Sequence, residues 1–248
     1  DVEKHIAFSS LKTSDLQTAE RLISTSLENS PELDLDMAEL AIDLYSRKLD
    51  NEKLNPLLEK LEKEFPNNSQ ALRIRGEYMQ RLGLEGARSL LQRAIENAAS
   101  ELEKILTETA LADLLYDQKD YTGAAELYKK HINIKEGNPA TYRYAQCLYD
   151  SGQYGMLLDW IDSLDQNIRR HSTIEQMEAY ANLYLNNLDK ASQLFKDLFE
   201  KNPGSLQYLV YYGMCRFRLG KESEAKIAFD AIKSRVSVGQ AFIEMMTR

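Results

Sequence analysis

The 248-residue chain holds only two cysteines, one tryptophan and three histidines. Two cysteines cannot build the disulfide framework that staples small secreted domains. Cys147 and Cys215 occupy the same phase of two non-adjacent stretches of a periodic pattern set out below. Packed helices lie ~8–10 Å apart, and a disulfide needs Cα atoms within ~7 Å. Both cysteines are therefore expected to be small buried residues in a reducing, cytoplasmic setting. His5, His131 and His171 are far apart, and none has a second histidine or cysteine three or four residues away. That spacing speaks against a zinc site and against a nucleophile–base pair. Five prolines and eleven glycines are few for this length, as suits a helical chain. No apolar run approaches the ~20 residues that span a bilayer. The chain opens DVEKHIAFSS, without a signal-peptide pattern, and a targeting segment removed upstream is compatible with that start.

Phosphate chemistry is missing as well. Gly220-Lys221 is followed by Glu222 and has no glycine five residues before it, so it is not a nucleotide-binding loop. Gly83 and Gly86 fit a turn, because no strand pattern surrounds them. A net charge of −8 argues against binding a nucleic-acid backbone. Carboxylates are abundant, but on helices most are solvated faces. No catalytic residue, metal ligand or cofactor site emerges, and the expectation is a non-enzyme without a cofactor.

What the chain does have is a period. Ala19/Ile23, Leu54/Leu58, Ala87/Leu91, Ala124/Tyr128, Leu157/Ile161, Ala191/Phe195 and Ala225/Phe229 are pairs spaced by four. Their first members are separated by 35, 33, 37, 33, 34 and 34 residues. A period near 34 throughout a chain marks a helical repeat array. Each unit reads as two helices and a tight turn. Leu111, Ala112 and Leu115 form one stripe, Lys119-Asp120 the turn, and Tyr121, Ala124, Tyr128 and His131 the face of a second helix. The next unit repeats this with Tyr144, Ala145 and Leu148, the turn Ser151-Gly152-Gln153, then Tyr154, Leu157, Ile161 and Leu164. Gly152 and Gly220 fall where a left-handed C-cap favours glycine. Pro31, Pro66 and Pro203 lie twelve residues beyond Ala19, Leu54 and Ala191, where the second helix has ended. Asn67-Asn68-Ser69 matches a glycosylation acceptor but reads better as an interhelical turn.

The pattern resembles the tetratricopeptide repeat family. The family's small residue in the first helix matches Ala7, Gly76, Ala112, Ala145, Ala179 and Gly213, with Ile42 a bulkier departure. The alanine of its second helix matches Ala19, Ala87, Ala124, Ala191 and Ala225, with Leu54 and Leu157 in its place elsewhere. The resemblance implies an all-α, right-handed α–α superhelix of about seven helix–turn–helix units. They run roughly 1–33, 34–67, 68–104, 105–137, 138–171, 172–205 and 206–238, and residues 239–248 form a terminal helix or begin a further unit.

In this family the first helices line a concave groove, through positions three before the small residue and one, four and five after it. In the second and third units these are Glu39, Asp43, Ser46 and Arg47, then Arg73, Glu77, Gln80 and Arg81, which read as a solvated charged spacer. From the fourth unit on they become Asp113, Tyr116 and Asp117, then Tyr142, Gln146, Tyr149 and Asp150, then Tyr180 and Tyr184, then Met214, Phe217 and Arg218. Amphipathic aromatics suit a binding surface; lateral packing between repeats is the alternative. Tyr121, Tyr128, Tyr154, Tyr144 and Tyr212 are assigned to the core by phase. The family's carboxylate clamp for a heat-shock chaperone tail needs an asparagine just after the small residue. Phe8, Asp43, Glu77, Asp113, Gln146, Tyr180 and Met214 stand there instead. The resemblance thus implies a protein-interaction scaffold for a peptide or helix with basic and apolar side chains, docked on residues 105–220. Self-assembly through the apolar tail, with Val238, Phe242, Ile243 and Met246, is one alternative. A regulatory arm of a larger enzyme is the other.

Overall fold

A computed structural model describes residues 2–29 and 32–235. Pro31 and the tail residues Val238, Phe242, Ile243 and Met246 lie outside the described residues. Among the described residues there are fifteen α-helices and no strand. The chain divides into two compact units, Asp1–Gln118 and Lys119–Arg248.

The first unit contains α1 (Val2–Lys12), α2 (Leu16–Asn29), α3 (Leu35–Lys48), α4 (Asn51–Glu64), α5 (Ser69–Arg81), α6 (Ala87–Glu96) and α7 (Glu101–Asp117). Consecutive helices pack on each other, while α1, α3, α5 and α7 stack side by side. Its core runs without a break from Ala7 and Leu11 through Ala19, Ile23, Ala41, Ile42 and Leu54 to Ala71 and Ile74. The second unit contains α8 (Tyr121–Lys129), α9 (Pro139–Asp150), α10 (Tyr154–Asp162), the single turn α11 (Gln166–Arg169), α12 (Ser172–Tyr184), α13 (Leu188–Lys201), α14 (Leu206–Arg218) and α15 (Glu222–Arg235). Here α9 stacks on α12, and the hairpins α12/α13 and α14/α15 pack through α13 against α14.

One backbone feature repeats more regularly than any side chain. Ser14, Leu49, Gly83, Lys119, Gly152, Asn186 and Gly220 all have φ between 56° and 73°, once in each turn that follows a first helix. The next residue closes back five positions: Gln153 N–H donates to Leu148 O at 2.9 Å, and Lys221 N–H to Arg216 O at 2.9 Å. This is the Schellman ending, which satisfies carbonyls that the helix would leave bare. Glycine enters this conformation freely, whereas other residues pay for it. Gly152 and Gly220 therefore sit as the sequence predicts, and four non-glycine residues do the same work unannounced.

Short polar side chains start the helices. Asp34, Asp50, Asn68, Ser100, Asp120 and Asn138 each accept a backbone N–H of the first turn. Asn68 capping α5 and buried Ser69 Oγ donating to Ala94 O at 2.8 Å make Asn67-Asn68-Ser69 a structural turn. Before α7, Ser100 caps Glu103 N–H, and the Glu103 carboxylate accepts from Ala99 N–H at 2.8 Å. These two bonds fix the start of α7, and the extra residues ahead of the fourth period join that helix.

The small residues mark close helix approach. A Cβ built on Gly213 would lie 2.7 Å from Phe229 Cε1, and one on Gly76 2.8 Å from Leu91 Cγ. Phe229 and Leu91 are the second members of their marker pairs, so the two sequence signals touch one another in space.

Candidate functional site

The tyrosines of the second unit form a ladder across α9, α12 and α14. Tyr149 on α9 meets Tyr154 edge-on at 5.7 Å, Tyr180 at 6.5 Å and Tyr184 at 6.3 Å. Tyr154 stacks on Tyr184 at 4.7 Å. Tyr180 in turn meets Tyr211 at 5.1 Å and the fully buried Phe195 at 5.1 Å, and Phe195 stacks on Tyr211 at 5.0 Å. Edge-to-face and offset geometries of this kind contribute ~0.5–1.5 kcal/mol per pair beyond area burial. Tyr149 and Tyr180 are half-buried, so both packing and surface presentation fall on the same side chains.

The remaining expected site residues are spread around this ladder. Tyr142 packs on His171, the N-cap of α12, at 4.4 Å. Gln146 donates to exposed Asp150 at 2.9 Å. Tyr184 is 58% exposed and Phe217 44% exposed, Met214 is half-buried, and exposed Arg218 donates to Asn186 Oδ1 at 2.7 Å. Asp113, Tyr116 and Asp117 belong to the first unit, on α7. Asp113 lines a cavity there, Tyr116 is half-buried, and exposed Asp117 accepts from Gln80 at 2.7 Å.

Burial shows in the phenols. It raises the Tyr149 hydroxyl well above the ordinary tyrosine range, aided by neighbouring Tyr184, and pushes Tyr180 from 10.0 to about 12. A raised phenol favours the protonated folded state, so its contribution is intact below pH ~10 and is lost as pH climbs towards 12. The second unit is therefore expected to weaken over pH 10–12, and Tyr180→Phe should flatten that decline. Urea midpoints measured at pH 9 and 11.5 check it. A decline equally steep in the variant would assign the effect to other groups. Cys215 is likewise pushed up to about 11 by burial, and both cysteines are buried thiols, which suits packing residues of low reactivity.

Two sequence expectations are corrected. Tyr128 and Tyr144 are core, but Tyr121, Tyr154 and Tyr212 are only half-buried. Tyr121 and Tyr154 are the first residues of α8 and α10, at the rim of the hairpin, where the stripe has not yet turned fully inward. Tyr212 keeps its hydroxyl outward, donating to Glu224 at 3.2 Å, with Arg216 over its ring at 5.3 Å. Second, the groove charges of the N-terminal repeats are not uniformly solvated: Arg47 and Arg81 are exposed, but Arg73 is not. Arg73 is buried between Glu39 and Glu77, at 2.7 and 2.9 Å, and Asp43 bridges Arg47 and Arg81 at 2.7 and 3.0 Å. The groove-position rule also passed over Tyr211, which lies two before Gly213. Its signal was the aromatic run Tyr208, Tyr211, Tyr212, dense for one helix.

Stacked helix hairpins that present side-chain faces define a helical-repeat protein. Residues 177–237 match the family model described as Tetratricopeptide repeat, over α12 and the helices that follow it. No curated protein matches the chain in sequence. Among solved structures, the apo form of RapI is similar at 17% identity and a TM-score of 0.68, over 93% of this chain and 74% of that one. PilF of Pseudomonas aeruginosa is similar at 17% identity and 0.61, over 84% and 94%. A tetratricopeptide repeat protein from Parabacteroides merdae is similar at 14% identity and 0.55, over 99% and 96%. These likenesses are of fold. Residues 177–237 thus carry the tetratricopeptide repeat pattern, and the helix–turn–helix fold of the described residues is similar to that of solved tetratricopeptide repeat proteins. Among the described residues no helix is long and apolar enough to cross a membrane.

Proposed function

We propose that the chain is a non-catalytic scaffold that binds a partner peptide or helix on the second-unit face formed by α9, α12 and α14. The observation that carries this reading is the pairing of exposed aromatics with a rigid support. Tyr184 and Phe217 stand open to solvent, and Tyr149 and Tyr154 pack against Tyr184, with Tyr180 continuing the ladder. Aromatic anchors on a preorganised base lose little entropy on binding and bury large area. Asp150 and Arg218 flank them with one charge of each sign, which suits apolar anchors with polar neighbours in the partner.

The test is a displayed library of twelve-residue peptides selected on the intact chain. Tyr184→Ser with Phe217→Ser should weaken the selected peptides about tenfold or more, the scale of losing interface anchors. Tyr184→Ser also forfeits ring contacts with Tyr154 and Tyr149 worth ~0.5–1.5 kcal/mol each, so a stability loss of about 1–3 kcal/mol is expected and is measured beside the affinity by urea unfolding. Affinity that is unmoved in the double variant would remove this face as the binding surface.

A further inference from the structure

Tyr154 and Tyr184 differ from the other tyrosine pairs of the ladder in how they meet. Their rings lie 4.7 Å apart and within 12° of parallel. Tyr149 meets Tyr154, Tyr180 and Tyr184 at 5.7, 6.5 and 6.3 Å with tilts of 67°, 65° and 59°. Tyr180 meets Tyr211 nearly at a right angle, 86°. A tilted pair turns the edge of one ring to the face of the other, whereas a parallel pair lays ring carbon over ring carbon. The Tyr184 hydroxyl is hydrogen-bonded to Tyr149 and lies within electrostatic reach of the Tyr154 hydroxyl.

The pair is also accessible and loosely framed. Tyr184 is 58% exposed and Tyr154 is half-buried. Tyr154 opens α10 and Tyr184 closes α12, so both rings leave helix ends and not the middle of a packed face. Gly155 follows Tyr154 and Gly152 stands two residues before it, and around both the place of a Cβ is open to 4 Å. The Tyr154 ring therefore has room to tilt. An oxidant in solution reaches Tyr184 directly. Cys147 and Cys215, whose thiols would compete for it, are both buried.

We propose that Tyr154 and Tyr184 form an oxidation site, where hydrogen peroxide and a haem peroxidase join the two rings as dityrosine. Each phenol loses one electron and its hydroxyl proton, leaving a radical shared between the oxygen and the ring carbons beside it. The two radicals couple, making one carbon–carbon bond between those ring positions. The hydrogen on each coupled carbon then passes through water to the oxygen, which restores both phenols. The chain loses two hydrogens in all. Hydrogen peroxide takes up the two electrons and two protons and becomes two waters. Because the fold already holds the rings together, coupling is intramolecular and needs no encounter between chains. The bond fastens α10 to α12, which belong to successive repeats. It also ties down Tyr184 and so removes an anchor of the aromatic face; that consequence alone rests on the scaffold reading.

The experiment treats the intact chain, kept dilute, with a haem peroxidase and limiting hydrogen peroxide. The expected product is monomeric, two hydrogens lighter and fluorescent as dityrosine. Proteolysis should release one cross-linked peptide that joins residues 154 and 184. Tyr154→Phe and Tyr184→Phe each keep the stacked ring and remove the phenol, so each should fold yet lower the intramolecular yield about tenfold or more. In urea the same oxidation should lose its preference for this pair among the fourteen tyrosines. The linked chain closes a loop of about thirty residues and should unfold at a higher urea concentration than the untreated chain. Product linked only between chains, a bond mapped to Tyr149 or another tyrosine, or a yield unmoved in both variants would each overturn the site. Peptide selection on the untreated chain reads the aromatic face separately, so either reading can fail while the other stands.

Discussion

Replacing Phe195 with alanine is expected to cost the second unit about 4 kcal/mol, within the ~3–5 kcal/mol found for emptying a buried aromatic site. Phe195 is fully buried on α13 and is the residue on which three tyrosines converge. Tyr180 meets it edge-on at 5.1 Å, while Tyr211 and Tyr208 lie nearly parallel to it at 5.0 and 6.5 Å. Removing the ring forfeits its own burial and also withdraws support from Tyr180 and Tyr211. Neither can fill the space without leaving its own contacts, because the hydroxyl of Tyr180 is tied to a polar edge, accepting from Gln207 at 3.5 Å. The surface consequence follows from the same geometry, since Tyr180 carries Tyr149, and Tyr149 carries Tyr184. Hydrogen exchange should accordingly show amide protection falling in α12, α13 and α14 together, as expected where each hairpin is stabilised by its neighbours. A loss below about 1 kcal/mol, the scale of an average substitution, would mean that the ladder does not rest on this ring.

The architecture was legible because it is written in residues whose size is constrained by close packing. Ala7, Ala112, Ala145 and Ala179 are all fully buried, as are Ala19, Ala124 and Ala191, and each recurs at the expected phase. The helix turns were less legible. Gly83, Gly152 and Gly220 announce a left-handed residue, but Ser14, Leu49, Lys119 and Asn186 adopt the same conformation without a sequence signal. Tertiary packing of the flanking helices sets that backbone angle, whatever side chain is present.

The candidate site was legible in composition and not in arrangement. Counting positions from the small residue found Tyr149, Tyr180 and Tyr184, yet phase alone cannot say whether a tyrosine packs, binds or does both. Tyr149 and Tyr180 pack on each other across neighbouring repeats, with ring centroids 6.5 Å apart, while both stay half-exposed. The same counting misread the N-terminal charges. Glu39, Arg73 and Glu77 look solvated one at a time, and only the pairing between α3 and α5 shows that Arg73 is buried by its partners. A charge row in one helix carries no information about the row in the next until the register between them is known.

Gly213 and Gly155 should respond in opposite directions to the same kind of change. Gly213 lies within α14, and a Cβ there would stand 2.7 Å from Phe229 Cε1 and 3.0 Å from Cζ. Phe229 is itself buried in the α14/α15 core, so its ring has no open space to rotate into. Alanine in mid-helix normally gains up to ~1 kcal/mol over glycine, but here the hairpin must first be prised apart. Gly213→Leu adds three more carbons to that collision and is expected to cost about 3 kcal/mol, the upper part of the usual overpacking range. Gly155 lies within α10 with nothing inside 4 Å of the position a Cβ would take. Gly155→Ala therefore keeps the propensity gain without a clash and should stabilise by ~0.5–1 kcal/mol. Urea unfolding of the two variants beside the wild type reads both signs at once. Loss in both would show that glycine at 155 serves the turn before α10 through its backbone. Tolerance of leucine at 213 would show that α14 and α15 can separate at little cost, and would remove the physical reason for a small residue at that phase of the repeat.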